Sequence, residues 1–257
     1  MNRRGQPPFE WAANGAVEEY VRKGCVTIAR GQAAKAYNVP QQEGVRKQWS
    51  EWSKEPVPPV EPKVESFERT VAFVASRRRP VFVVQDALRT DAPATFDWLL
   101  HAINEMKFDD ESGAIRVQNG DARAVVRLIA SEPFHFSQRD WFAVPPELDE
   151  ATARTASEAA RKQRFPNQWH LDAHTGKPVR EIKFLAVAVP YRASEAEPTI
   201  ALEKVGDMVV CKVGDTTVAA WMGTGTQGKL TVSGLAAKGR LVVRVTEDGR
   251  MDSAVAQ

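Results

Sequence analysis

Hydrophobic and polar residues alternate in short runs along most of the chain, and Gly, Pro, Asp and Asn separate the runs. Such runs are typical of β-strands joined by turns, and their spacing of roughly 8–15 residues indicates a sandwich or a barrel. We therefore predict an all-β fold, built as an antiparallel β-sandwich. The predicted strands are Val26–Ala29, Ala33–Tyr37, Phe67–Val74, Val81–Asp86, Thr95–His101, Ile115–Gln118, Ala124–Ile129, Phe134–Gln138, Ile182–Val189, Thr199–Glu203, Met208–Lys212, Thr216–Trp221, Lys229–Val232 and Arg240–Val245.

Some local patterns predict more than a strand. The Val-rich run Val81–Val84 is typical of a strand that is buried on both faces. Asn119-Gly120-Asp121 separates two predicted strands, and Asn-Gly favours a type I′ hairpin turn because it tolerates positive φ angles. Val213-Gly214-Asp215 and Glu247–Arg250 are predicted turns for the same kind of reason.

Two segments depart from the β pattern. The segment 41–63 carries four prolines, which cannot donate to a sheet ladder, so we predict an extended surface loop. Its Trp49 and Trp52 either stack on a sugar or a partner, or pin the loop to the domain. Leu148–Arg164 is rich in Ala, Glu and Arg and predicts one surface helix.

The clean alternation after Pro190 predicts two units, a main sandwich domain over 1–194 and a small C-terminal β-module over 195–257.

The amino-acid composition argues against some classes of function but indicates no specific reaction. Apolar residues make up 43% of the chain, and the net charge is +2, so no strong field points to nucleic acid or to an anionic membrane. No run reaches the roughly 18 apolar residues that span a bilayer, and the basic N-terminus lacks the apolar region of a signal peptide. Cys25 and Cys211 are either one disulfide or two buried thiols.

A few residues are candidates for chemistry. The chain has four histidines, His101, His135, His170 and His174. His170 and His174 are four residues apart, a spacing that suits a metal on a helix, but their surroundings predict a loop or strand. The alternative is a polar loop with one ordered histidine.

Two other motifs suggest ligand binding, but each also has a purely structural interpretation. Gly223–Gly228 superficially resembles a dinucleotide fingerprint, but it lies between β-runs and opens no helix, so we interpret it as a flexible hairpin loop. Arg77–Arg79 is either a contact for an anionic polysaccharide or a solvated turn. The sequence contains neither a Gly-x-Ser-x-Gly elbow nor a Walker loop.

Several segments together resemble the C-terminal β-sandwich of heparinase II/III-like polysaccharide lyases. The main pair is Val81–Asp86, a hydrophobic strand that ends in Asp, followed by Phe96–His101, a strand of the form aromatic-x-Trp-Leu-Leu-His. Arg3–Gln6 resembles the end of a Gly-Gln turn of the family. Gly31–Tyr37 resembles a Gly-Asp strand pair with Gln32 in place of Asp, and Gln168–Leu171 is also similar. This resemblance implies a supersandwich-like architecture.

In that family the reaction is β-elimination on a uronate-containing polysaccharide, and a helical α/α-toroid supplies most catalytic groups. The resemblance implies that this chain lacks the toroid and is inactive alone, and none of Tyr20, Tyr37 and Tyr191, which we predict to lie in strands, matches a catalytic position. In some members the histidine of the Trp-Leu-Leu-His strand binds a structural zinc. His101 matches it and is the candidate metal ligand, with its partners expected upstream of Met1. The alternative is a buried, hydrogen-bonded histidine.

The resemblance also implies partners and a location. We expect an acidic polysaccharide, a toroid domain and a periplasmic or secreted location. An exposed edge strand or apolar surface near the N-terminus would favour self-association. The alternative function is a free-standing carbohydrate-binding or protein-interaction β-domain, which is motivated by aromatic residues that could stack on sugars, namely Trp11, Trp49, Trp52 and Trp141.

Overall fold

The protein is described by a computed structural model that covers residues 14–38, 62–140, 168–232 and 234–257. In these ranges the chain is almost entirely antiparallel strand with one short helix, which confirms the prediction of an all-β sandwich. The predicted helix Leu148–Arg164 lies outside the described residues. So does the predicted loop 41–63, apart from its last two residues.

The described residues form eighteen strands in four sheets. In chain order the elements are β1 (Ala16–Lys23), β2 (Val26–Gln32), α1 (Ala34–Asn38), β3 (Val64–Val74), β4 (Val81–Ala94), β5 (Asp97–Ala102), β6 (Lys107–Asp109), β7 (Ala114–Asn119), β8 (Ala122–Ala130), β9 (Phe134–Arg139), β10 (Trp169–Thr175), β11 (Val179–Arg192), β12 (Ala201–Val205), β13 (Met208–Val213), β14 (Thr216–Trp221), β15 (Gly228–Val232), β16 (Leu235–Gly239), β17 (Leu241–Glu247) and β18 (Arg250–Ala256).

The sheets have defined strand orders. An eight-stranded central sheet has the order β1-β2-β3-β4-β11-β8-β7-β6, and a three-stranded small sheet has the order β5-β10-β9. A five-stranded C-terminal sheet has the order β12-β13-β14-β17-β18, and β15 pairs with β16 in a separate hairpin.

The central sheet is covered on both faces. One face packs on the C-terminal sheet through a core that includes Val83, Val187 and Val243. The other face packs on the small sheet through a core that includes Phe184 and Leu171. The result is three β layers, each about 10 Å from the next.

The β15–β16 hairpin adds a partial fourth layer. It packs on the outer face of the C-terminal sheet, where Leu230 contacts a cluster that includes Val210 and Val242. Since Val243 belongs to the core of the central sheet, neighbouring residues of β17 supply two different cores. The division of the chain between residues 194 and 195 into two domains stays a prediction.

β11 is the strand that joins the two main cores. Leu185 and Val187 belong to the core under the C-terminal sheet, whereas Phe184 and Ala186 belong to the core under the small sheet. Lys183 interrupts this apolar run and is only 2% exposed. Its side chain points toward the C-terminal sheet, because strand alternation places it on the same face as Leu185.

Lys183 anchors the glycine-rich loop Gly223–Gly228. Its amine donates hydrogen bonds to the backbone carbonyls of Gly223 and Gly225. Burial lowers the pKa of Lys183 below its ordinary value, and Glu181, whose carboxylate is 3.6 Å away, opposes this effect. The loop Gly223–Gly228 connects β14 to β15 and presents carbonyl oxygens to a cation. A dinucleotide loop would instead direct N–H groups toward phosphate.

The predicted strand Ala33–Tyr37 is wrong, because these residues form most of helix α1. Ala34 and Ala36 are buried, and alanine and lysine favour helix. The helix also places the ring of Tyr37 at 5.2 Å from that of Phe67. The predictions for the other two tyrosines are confirmed, since Tyr20 lies in β1 and Tyr191 in β11.

The prediction that Val81–Val84 is buried on both faces is also wrong. Val81 and Val83 are fully buried, but Phe82 is 43% exposed. Phe82 points to the face of the central sheet on which the small sheet packs, but it does not belong to the core between these two sheets.

The turn at Asn119–Asp121 is a two-residue hairpin, as predicted, but of another type. Asn119 pairs with Ala122, so Gly120 and Asp121 are the central residues. Only Gly120 has a positive φ, of 59°, which is typical of type II′ rather than type I′.

The cysteines are both free thiols, so the disulfide alternative is wrong.

The basic run Arg77–Arg79 forms contacts within the protein. Arg78 pairs with Asp215 at 2.9 Å and with Asp248 at 3.3 Å. These carboxylates lie in turns of the C-terminal sheet. The arginine turn therefore bridges two layers through exposed ion pairs, which contribute little stability individually.

β1 is an edge strand of the central sheet. Val17 is 75% exposed and Tyr20 is 64% exposed, so apolar side chains do reach solvent here. A bulge between Val17 and Glu19 and the charges of β1 are features that discourage edge pairing, and self-association stays a prediction.

Among the described residues, no helix is sufficiently long and apolar to cross a membrane.

We expect Lys183→Met to destabilise the protein, since the change leaves the carbonyl oxygens of Gly223 and Gly225 without this donor. The expected loss in the free energy of unfolding is about 2 kcal/mol, measured by urea denaturation. Amide hydrogen exchange over Gly223–Gly228 should also accelerate. Lys204→Met, at an exposed lysine of β12, is the matched control, and an equal loss in both variants would contradict the anchoring role.

Candidate ligand-binding face

The small sheet brings all four histidines to one surface. In β10, Leu171 and Ala173 are fully buried against the central sheet. Strand alternation therefore turns His170, Asp172 and His174 to the outer face.

Cross-strand pairing adds the remaining residues of this surface. His170 is opposite His101 of β5 and Arg139 of β9, and His174 is opposite Asp97 and His135. Residues that are directly opposite in an antiparallel pair project on the same side. We call this surface the histidine face and define it by His101, His135, His170, His174, Asp97, Asp172 and Arg139.

Two polar contacts order the histidine face. Nδ1 of His174 lies 2.5 Å from a carboxylate oxygen of Asp97, and since a carboxylate can only accept, the imidazole donates this hydrogen bond. Arg139 lies 3.6 Å from the carboxylate of Asp172. Burial raises the pKa of Asp172 above its ordinary value, and the Arg139 guanidinium opposes this rise.

His101 and His170 form a stacked pair. Their ring centroids are 4.3 Å apart, and the ring planes are inclined by 27°. His170 is only 7% exposed, and this burial lowers its pKa to about 4, with further contributions from His101 and Arg139. The ring of His170 is therefore uncharged near neutral pH, whereas His101 is exposed at the surface.

The arrangement does not match a zinc site. His170 and His174 lie on one strand, where four residues span roughly 13 Å, so they cannot bind the same ion. Stacked rings direct their nitrogen lone pairs along nearly parallel planes, so His101 and His170 do not converge on one point either. Within the described ranges, no three His, Cys, Asp or Glu residues are placed to hold a metal. The role of His101 as a zinc ligand stays a prediction.

The sequence alone missed two members of the histidine face, Asp97 and Arg139. Asp97 and Arg139 lie at alternate positions from His101 and His135 in short β-runs, which is a signal for one shared face within each strand. Nothing in the sequence shows that β10 lies between β5 and β9. That pairing brings together segments about seventy and thirty residues apart along the chain.

Comparisons with known proteins concern the fold only. No protein-family model matches the chain, and no curated protein matches it. Among solved structures, a heparinase III gene product has a TM-score of 0.48 and 11% identity, over 77% of this chain and 26% of that chain. A mutant of the heparan sulfate lyase HepC from Pedobacter heparinus has a TM-score of 0.46 and 10% identity, over 82% and 28%. The chain thus spans about a quarter of the length of these proteins, and similarity at this level assigns no activity.

The low pKa of His170 makes the stability of the fold depend on pH. Its folded value of about 4 lies below the ordinary value of 6.5, so between these values the unfolded chain binds the proton more readily. The stabilising contribution is complete above pH 6.5. It is lost as the pH falls toward 4, by up to about 3 kcal/mol.

We expect His170→Gln to flatten this part of the curve of unfolding free energy against pH, measured by urea denaturation. His135→Gln, at an exposed histidine of the same face, should keep the slope of the unmodified protein. If the slope of His170→Gln is also unchanged, burial does not hold the ring of His170 neutral.

Proposed function

We propose that the chain is a β-sandwich component of a heparinase II/III-like polysaccharide lyase and binds an acidic polysaccharide on the histidine face. One observation carries this proposal, namely the convergence of His101, His135, His174 and Arg139 on one outer sheet surface. Separate segments of sequence contribute these donors. The similarity of Val81–Asp86 and Phe96–His101 to the lyases supports the same substrate class.

The chemistry of the face suits a sugar acid. The half-exposed guanidinium of Arg139 can pair with a uronate carboxylate or a sulfate group in bidentate geometry. Imidazole N–H groups can donate to sugar hydroxyls, and the carboxylates of Asp97 and Asp172 can accept from them. Because donors and acceptors are interleaved, the face fits a polymer that carries both hydroxyl groups and anionic groups.

We propose a binding role, with β-elimination carried out elsewhere. β-Elimination needs a base next to the proton alpha to the carboxylate and a group that neutralises the carboxylate. The three tyrosines lie away from the histidine face, with Tyr20 in β1, Tyr37 in α1 and Tyr191 in β11. The resemblance assigns the chemistry to a helical toroid domain, so the sandwich would act beside such a domain in a periplasmic or secreted enzyme.

A second candidate is a free-standing carbohydrate-binding or protein-interaction domain. The exposed aromatic side chains of Tyr20 and Phe82 favour it. The tryptophans that first motivated this alternative, Trp11, Trp49, Trp52 and Trp141, lie outside the described residues.

Calorimetric titration of the protein with heparin and with alginate tests the proposal. We expect saturable binding of at least one polymer, and Arg139→Gln should weaken it roughly tenfold because a charge-assisted hydrogen bond is lost. Arg250→Gln removes the same charge from an exposed position of β18 and should leave the affinity nearly unchanged. Equal weakening in both variants would indicate a general charge effect, and the absence of binding would refute the proposed function.

The same samples test the separation of binding from catalysis. We expect no increase in the ultraviolet absorbance of unsaturated uronate products when the chain is incubated with either polymer. A steady increase that scales with protein concentration would show that the chain completes an active site by itself.

A further inference from the structure

A second surface lies on the same side of the central sheet as the small sheet. Val71 of β3 is directly opposite Val84 of β4, and Val84 packs on the core beneath the small sheet. Phe82 is likewise opposite Ala188, which packs on the same core. Beyond these contacts no other described strand packs on this face, and here Val71 is 37% exposed and Phe82 is 43% exposed.

The uncovered part of the face has the form of a groove. Tyr20 of β1 is opposite Ala29 of β2, which is opposite Val71. In the adjacent row, Arg22 is opposite Thr27, which is opposite Phe73. The small side chains of β2 therefore form a floor between taller side chains, which stand two strand spacings or about 10 Å apart. We call this surface the β1–β3 groove and define it by Tyr20, Arg22, Thr27, Ala29, Val71, Phe73 and Phe82.

Aromatic rings form the sides of the groove. Phe73 and Phe82 are stacked, with ring centroids 4.6 Å apart and planes inclined by 30°. Tyr20 on the opposite side is 64% exposed. Exposed aromatic rings have an apolar face and, in tyrosine, a polar tip, which matches a sugar ring with its C–H face and its hydroxyl rim.

Cationic groups flank the aromatic rings. Arg22 shares the row of Phe73 and Phe82, and Arg69 is two residues before Val71 on the same face. The guanidinium of Arg69 is held by Asp86 through two hydrogen bonds of 2.6 and 2.7 Å, and its side chain is still 51% exposed. Only two of its five N–H donors are used in this pair, so a positioned arginine faces the groove with donors to spare.

We propose that the β1–β3 groove is a second subsite for the acidic polysaccharide, where sugar rings stack on Tyr20 and Phe82 and anionic groups meet Arg22 and Arg69. The inference rests on the proposed function and adds a location and a recognition chemistry to it. Charge and apolar surface alternate over short distances in the groove. A sugar acid presents the same alternation, whereas a protein partner more commonly requires a contiguous apolar patch.

The test compares variants of exposed side chains, which should all fold. Tyr20→Ser and Phe82→Ser are combined in one variant, and Val205→Ser and Met251→Ser are combined in a control. Val205 and Met251 are 48% and 56% exposed and lie on the C-terminal sheet. A third variant, Phe82→Trp, keeps an aromatic ring. Affinity for size-defined heparin oligosaccharides is measured by calorimetric titration, and the mass in solution is measured by sedimentation.

The expected result is an affinity roughly tenfold lower for the Tyr20 and Phe82 double variant, no loss for the control, and retained affinity for Phe82→Trp. The difference should grow with the length of the oligosaccharide, because short ones fill a single subsite. If the unmodified protein binds but the double variant binds equally well, the groove inference is overturned and the proposed function stands.

Two other outcomes also decide the matter. If the unmodified protein binds no heparin oligosaccharide, both the proposed function and the groove inference fail for this polymer class. If the double variant keeps its affinity but changes a dimer into a monomer, the groove is a contact between copies of the chain and the inference is overturned.

Discussion

The burial of the central sheet on both faces is the constraint on which the rest of the structure depends. β11 meets this constraint most completely, since Phe184, Leu185, Ala186 and Val187 are all buried and supply two cores alternately. A strand in this position cannot place a charge on either face without a partner. Lys183 lies directly before this run. Its amine donates hydrogen bonds to backbone carbonyls of the loop Gly223–Gly228, and these bonds hold the loop against the central sheet.

The same constraint decides which residues are available for binding. The three strands of the small sheet cover only part of the central sheet, so among the described residues no further layer packs on their outer surface or on the strip beside it. Residues of β10 that alternate with Leu171 and Ala173 must then be polar, and four histidines accumulate where these positions meet β5 and β9. Phe82 illustrates the partial cover, because it is 43% exposed although its neighbours Val81 and Val83 are fully buried.

Sequence patterns predict some elements of this fold correctly and miss others. Runs such as Ile182–Val189 and Met208–Lys212 predict strands because burial imposes their composition. β1 lacks such a run, because most of its side chains are exposed, and the pattern misses it. Ala33–Tyr37 has the composition of either element, and the choice of helix depends on packing against Phe67. The histidine face depends on strand order, which no local pattern contains, so only its individual members could be predicted.

Both proposed subsites have rigid support, and this matters for the binding of a polymer. Their residues lie on regular strands backed by the two cores, so the backbone needs little ordering when a ligand binds. The polar side chains are restrained as well, since Asp97 holds the ring of His174 and Asp86 holds the guanidinium of Arg69. The histidine face stands one layer above the β1–β3 groove, about 10 Å higher. A flexible polymer can follow such a step, so the two proposed subsites are compatible with one bound ligand chain.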